Sequence, residues 1–287
     1  MTPLRQKMIE AMQVRGFSVR THQSYLSAVS DLAKYYGRSP ERLSREELQA
    51  YFLYLVKDRE LSGASCRLFL NGIRFLYLQV LGRDAFEVSL QVPRKAQRIP
   101  ELLTRKEVRA LILAARNPKH RAMLELCYGC GLRVSELMSV KVQHVDGERH
   151  LLRVEQGKGA KDRAVIVSPT LLARLRCYWQ AYRPHGWLFP GQAPHEALGI
   201  QTAQRVFTAA KRRAGIAKIG GIHSLRHAYA THQLEAGVPV HQLQRLLGHH
   251  SLQSTLRYVH WVAGYRPTEH ASHDVLVNGD IKARHFG

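Results

Sequence analysis

The 287-residue chain is short of acid: 22 aspartates and glutamates stand against 43 lysines and arginines, a formal net charge of +21. Such an excess needs an anionic partner. Cysteine is also scarce. Four residues, Cys66, Cys127, Cys130 and Cys177, make no disulfide framework and read as buried thiols in a reducing cytoplasm. Cys127 and Cys130 form a C-x-x-C, but without a second pair at zinc-ribbon spacing they read as helix-core residues. No apolar run approaches the ~18 residues of a membrane span, and the longest, residues 51–56, stops at Lys57-Asp58-Arg59-Glu60. The N-terminus alternates charged and apolar residues, unlike an export signal. Internal repeats, low-complexity tracts and an acidic cluster of the magnesium-binding type are missing. So are the G-x-x-x-x-G-K-[ST] phosphate loop and H-E-x-x-H. What is present is 45% hydrophobic, enough for a folded body of two domains beneath the charge.

The first 90 residues predict four helices. One spans about residues 3–14. A second follows Ser18, with Tyr25, Leu26, Val29, Leu32, Ala33 and Tyr36 on one face and Gly37 as its stop. Ser44 and Glu47 make a capping box ahead of Leu48, Phe52 and Leu55. Ser62 opens the fourth, whose stripe runs from Cys66 through Phe69, Leu70, Ile73, Leu76 and Tyr77 to Val80, with Gly82 ending it. Residues 91–100 carry two prolines around four basic residues and read as a linker. A linker this short and basic suits two domains that close around one polyanion.

Thr104 and Glu107 form another capping box, where a second domain over residues 101–265 begins, followed by a tail over 266–287. Residues 150–155 and 163–167 are the convincing strands, joined by a glycine-containing loop that holds Lys158. Helical patterns cover 171–181, 201–214, 225–236 and 240–247. The expected fold is therefore mostly α with a small β-hairpin or sheet in the C-terminal domain: an N-terminal four-helix domain and an α+β second domain.

Several segments carry groups suited to anion chemistry. His223 and Arg226 stand three apart at the first turn of a helix, after Gly220-Gly221. Unpaired N–H groups and the positive dipole end there make a phosphate seat, though a capped surface helix has the same pattern. Arg133 has Glu136 one turn on, placed to fix its guanidinium, as in many surface ion pairs. Lys158 lies between two glycines, and Leu247-Gly248-His249 ends a helix nine residues before Tyr258. His223 and His227, four apart, could also suggest zinc, but Arg226 would crowd a cation between them.

In their order and spacing, Arg133, Lys158, the HSLRH segment 223–227, the LGH segment 247–249 and Tyr258 resemble the tyrosine recombinase (phage integrase) family, notably its Xer-like and integron-integrase-like branches. The N-terminal helices resemble that family's core-binding domain. The resemblance implies that Arg133 and Arg226 hold the nonbridging oxygens of a scissile phosphate, with His249 sharing the task. It implies that Lys158 protonates the leaving 5′-oxygen, that His223 assists proton transfer and that Tyr258 is the nucleophile. Tyr265 is the rival phenol. Two guanidiniums and imidazoles can neutralise a phosphorane without a metal. A phosphotyrosine ester stores the energy of the broken bond, so neither ATP nor another cofactor is implied.

The implied partners are double-stranded DNA with inverted-repeat half-sites and further copies of the chain, as a homotetramer on two duplexes. The implied setting is the cytoplasm, on the nucleoid, with no membrane. Charge and placement nominate Arg67, Arg74, Arg94, Lys95 and Arg98 for phosphate contacts. The sequence departs from the family pattern at Cys130, where a threonine or small residue is usual, and at His250. The tail shows no clear amphipathic period, unlike relatives that dock a C-terminal helix on a neighbour. Two other readings stay open at this point: a helix-turn-helix-like regulator built on residues 238–258, and a type IB-like topoisomerase.

Overall fold

A computed structural model describes residues 2–83, 86, 88, 100–155, 162–193, 195–262 and 264–267. The chain divides into two compact units, residues 1–98 and 99–287. Arg94, Lys95 and Arg98, the loop with Lys158, and residues 268–287 of the tail lie outside the described residues.

Unit 1 follows its caps. α1 (Pro3–Val14) begins at Thr2, whose side chain accepts from the Arg5 N–H. α2 (Val19–Tyr36) begins at Ser18 and ends on left-handed Gly37. α3 (Arg45–Lys57) carries the full Ser44/Glu47 box, and α4 (Gly63–Phe75) is capped by Ser62. Each such cap satisfies an orphan N–H and contributes about 1 kcal/mol.

The fourth helix does not run regularly to Gly82 as its stripe suggests. It widens into a π turn at Leu76–Val80. Phe75, Leu76 and Tyr77 are all buried where the helix passes into this wider turn. The Tyr77 hydroxyl then donates to the carbonyl of Pro40, in a 3₁₀ turn, Pro40–Arg42, that hydrophobic periodicity had no means to reveal. Met8, Met12, Leu32, Phe52, Leu55 and Ile73 form the core.

Unit 2 starts with α5 (Arg105–Leu113) on the Thr104/Glu107 box, then α6 (Pro118–Gly129) and the short α7 (Val134–Met138). A three-stranded antiparallel sheet follows in the order β1 (Val145–Asp146), β2 (Leu151–Val154), β3 (Arg163–Ile166). Leu151 pairs with Ile166 and Val154 with Arg163, so the two expected strands form the hairpin, and the two-residue β1 is an addition. α8 (Pro169–Tyr182), α9 (Ile200–Arg213), α10 (His223–Glu235), α11 (Val240–Leu247) and α12 (Gln253–Val259) complete the unit.

α10 runs through the centre, buried almost continuously from Leu225 to Leu234. One cysteine differs from expectation. Cys177 is exposed, because α8 turns Leu171, Leu172, Leu175 and Tyr178 inward and position 177 falls on the opposite side. Cys127 and Cys130 are buried, and burial pushes both thiols up to about 12. Among the described residues no helix is long and apolar enough to cross a membrane.

Candidate functional site

Around Glu136 the fold of unit 2 gathers arginines that are far apart in the chain. α6 ends in a tight turn at Gly131, with φ +58°, where an added Cβ would stand 2.4 Å from the Tyr229 ring. Glycine is therefore required, and the turn delivers Arg133 to the head of α7. Glu136 closes that head: one carboxylate oxygen accepts from the Arg133 N–H at 2.8 Å, the other from its Nη1 at 2.6 Å. Arg163, at the start of β3, grips the same carboxylate with two bonds of 2.8 and 2.9 Å. Arg226 Nη1 lies 3.7 Å away. Burial alone would raise the Glu136 pKa, but Arg163 and then Arg133 outweigh it and hold the carboxyl at about 2. It is ionised at neutral pH.

The C-terminus of α11 fixes the same three guanidiniums. Arg163 Nε donates to the Leu246 carbonyl at 3.2 Å, Arg226 Nη2 to Leu247 at 2.6 Å and Arg133 Nη2 to Gly248 at 3.2 Å. These are helix-end carbonyls that α11 leaves unpaired, at the negative pole of its dipole. Gly248, with φ +61°, turns the chain there, and a Cβ on it would meet the Arg163 side chain at 2.8 Å. Arg226 also donates to the Gly131 carbonyl at 2.7 Å and is 1% exposed. Burial, with Arg133 adding to it, lowers the Arg226 pKa to about 10, so it stays cationic.

After the turn, His249 Nδ1 meets Thr255 Oγ1 at 2.8 Å, and its ring lies parallel to that of Tyr258, with centroids 6.2 Å apart. Trp261 packs edge-on against Tyr258 at 5.1 Å. The Tyr258 hydroxyl stands 3.0 Å from His227 Nδ1. Burial raises its pKa, against the pull of Arg226, Arg257 and Arg133. His223, exposed at the start of α10, packs its ring edge-to-face on His227 at 4.6 Å. The resulting pocket is strongly positive and built from fixed donors, suited to an anion that gains charge during reaction.

Arg133, His223, Arg226, His249 and Tyr258 are thus brought together. Arg67 and Arg74 lie on the exposed face of α4 in unit 1. Arg67 edges a cavity of about 390 Å³ with Arg20, Ser24 and Asn71, and Arg74 lies over the Phe86 ring at 5.8 Å. Tyr265 donates to the Val238 carbonyl at 2.9 Å, apart from the arginines. Sequence reasoning missed Arg163, Thr255, Trp261 and the contact made by His227. Only His227 left a local signal, its place directly after Arg226.

The phage integrase family profile matches residues 101–263, and that of the phage integrase N-terminal SAM-like domain matches residues 4–87. The integrase/recombinase y4qK of Sinorhizobium fredii is 42% identical over 260 residues, 90% of this chain and 84% of that protein. Tyrosine recombinase XerD of Pseudomonas putida is 33% identical over 94% of this chain and 97% of its own length. Among solved structures, a lambda integrase dimer bound to a core site superposes with a TM-score of 0.72 at 19% identity. It covers 88% of this chain and 95% of that one, a likeness of fold.

Proposed function

We propose, for a chain that belongs to the phage integrase family and is a tyrosine recombinase, an enzyme that cleaves and rejoins DNA strands, the following course of site-specific recombination. Arg133 and Arg226 hold the nonbridging oxygens of one phosphodiester, and His249 adds a third donor. The Tyr258 oxygen bonds to phosphorus, the P–O5′ bond breaks, and a 3′-phosphotyrosyl ester forms. Lys158 protonates the departing 5′-oxygen, and His223 assists removal of the phenolic proton. The 5′-hydroxyl of a second duplex then attacks the ester, and strands exchange through a four-way junction. Four copies on two duplexes, each site a pair of inverted half-sites around a spacer, provide the four tyrosines. Arg67, Arg74, Arg94, Lys95 and Arg98 contact backbone phosphates. The ester conserves bond energy, so the cycle runs without ATP or another cofactor.

One observation carries this reading: the phenol of Tyr258 is buried beside Arg226 and Arg133, whose guanidiniums are fixed by the carbonyls at the end of α11. Inverted repeats in the DNA flanking the gene nominate the substrate. On a nicked suicide duplex of that sequence, the wild-type chain forms a covalent adduct whose DNA-linked peptide contains Tyr258. Tyr258→Phe binds the same DNA and forms none. Attachment at Tyr265, or capture by the phenylalanine variant, overturns the assignment. A DNA-binding regulator would bind and never attach.

A further inference from the structure

The attacking oxygen of Tyr258 begins as a protonated phenol. Its ring is 2% exposed, and burial keeps the hydroxyl from ionising despite three nearby guanidiniums. Attack on phosphorus therefore needs a neutral acceptor within hydrogen-bond reach. His227 Nδ1 is there, at 3.0 Å. The residue follows Arg226 on α10, and the helical step of about 100° turns its ring away from the Arg226 side chain and toward α12.

Three rings fix its orientation. Trp261 stands edge-on at 5.7 Å, His223 edge-on at 4.6 Å, and Tyr258 lies tilted at 5.6 Å. The other imidazole beside the tyrosine, His249, lies face-parallel to it and has Nδ1 engaged by Thr255. His223 packs against His227 and opens to solvent.

We propose that His227 is the direct proton acceptor of Tyr258 in cleavage and the donor in rejoining, with His223 acting through it. This rests on Tyr258 being the nucleophile. As the phenolic oxygen bonds to phosphorus, its proton passes to Nδ1 and leaves an imidazolium; the P–O5′ bond breaks, and the 5′-oxygen takes a proton from Lys158. In rejoining, a 5′-hydroxyl loses its proton to the lysine and bonds to phosphorus. The P–O bond to tyrosine then breaks, and the phenolic oxygen recovers its proton from Nδ1. The protein's own groups thereby regain their starting protonation, while the phosphorus is joined to the new 5′-oxygen.

The surroundings also tie the step to bound DNA. Facing His227 are His223 and Arg226 on its own helix, and Tyr258, Arg257 and Trp261 beyond it. Burial first, then His223, Arg226 and Arg257, hold its pKa at about 4, so the ring is neutral before substrate arrives, and in the Nε2–H tautomer its Nδ1 has a lone pair for the phenolic proton. A phosphodiester held by the arginines offsets their field and makes the imidazole more basic when the proton must move.

His227→Asn places an amide oxygen near the site of Nδ1: it accepts a hydrogen bond but cannot carry the proton. In single-turnover cleavage of the nicked duplex at saturating DNA, it should be about 10²- to 10⁴-fold slower with unchanged DNA affinity and melting midpoint. His227→Ala should regain rate with added imidazole, in proportion to imidazole's neutral fraction, while Tyr258→Phe regains none. Should His227→Ala fail to fold, imidazole rescue is read in His227→Gly. The proposal fails if His227→Asn cleaves within tenfold of wild type or faster. It also fails if imidazole restores neither small variant and the asparagine variant keeps the wild-type pH profile. A wild-type chain with no adduct, or an adduct elsewhere than Tyr258, instead overturns the reading of the nucleophile.

Discussion

The interior of unit 1 is aliphatic and aromatic among the described residues, whereas unit 2 buries Glu125, Glu136, His144, Arg226 and His232, together with three neutral polar side chains. Unit 1 is held by apolar burial and by side-chain caps on its four helices, which leaves Arg67 and Arg74 free to face outward. Unit 2 tolerates desolvated charge by pairing it. Arg174 meets Glu125 at 2.9 Å, and Glu136 answers the arginine cluster. Replacing such pairs by hydrophobic residues often stabilises a protein, so their presence points to chemistry rather than to stability. The two units share a chain and differ in what a charge is for: outside in one, and inside, pre-aimed, in the other.

The difference can be broken most severely at Glu136. Glu136→Gln leaves Arg133, Arg163 and Arg226 without their common counter-charge, and loss of one partner of a buried pair costs about 3–5 kcal/mol. All three tryptophans, at 179, 187 and 261, lie in unit 2, so tryptophan fluorescence reads that unit alone. Its urea midpoint should fall while the circular dichroism of unit 1 unfolds where it did before. A shift worth less than 1 kcal/mol would show that the arginines rely on the α11 carbonyls instead.

Acid should separate the units next. His232 is 3% exposed and its pKa is held at about 4, by burial first and by Arg105 second. An unfolded histidine titrates near 6.5. The folded state resists protonation, so this stability is complete above about pH 6.5 and drains away as the pH falls through 4; the full difference is about 3 kcal/mol. Glu136 adds a second loss as the pH falls from its unfolded value through about 2. Of the 16 histidines, 15 lie in unit 2. His232→Asn lowers the fluorescence-detected slope between pH 6.5 and 4 by its own share if this origin is correct, with His227 and His249, held at about 4 and about 3, keeping the rest, and leaves it unchanged if it is not.

The smallest effect should come from the surface of unit 1. Arg67→Ala and Arg74→Ala should each shift stability by less than about 0.5 kcal/mol. Each should lower the slope of log affinity against log salt by about 0.9 if its guanidinium contacts a DNA phosphate. An unchanged slope removes that residue from the interface.

The reach of sequence reasoning follows the range of the interactions involved. Caps are decided within three residues, so Ser18, Ser44, Ser62 and Thr104 announced their helices correctly. The buried stripe of α2 was equally open to reading. α6 was not, because residues 122–128 are buried on every side and show no period, and α7 and α12 have only 5 and 7 residues. In the site, the separate anchors Arg133, HSLRH, LGH and Tyr258 were legible as motifs. The hub that organises them was half visible: Glu136 reads as a partner for Arg133, but nothing local joins it to Arg163, which is 27 positions away. The π turn stayed hidden because its residues carry the same apolar stripe as the regular helix before it, and the bond from Tyr77 to Pro40 joins positions 37 apart.

Three successive carbonyls at the end of α11 each hold a different arginine, drawn from three different elements. Peptide spacing is invariant, so the turn acts as a jig: it sets the separation of the guanidiniums by covalent geometry, not by the flexible side chains that bear them. Gly248 thus joins the support of all three cations to the helix that, five residues on, bears the tyrosine.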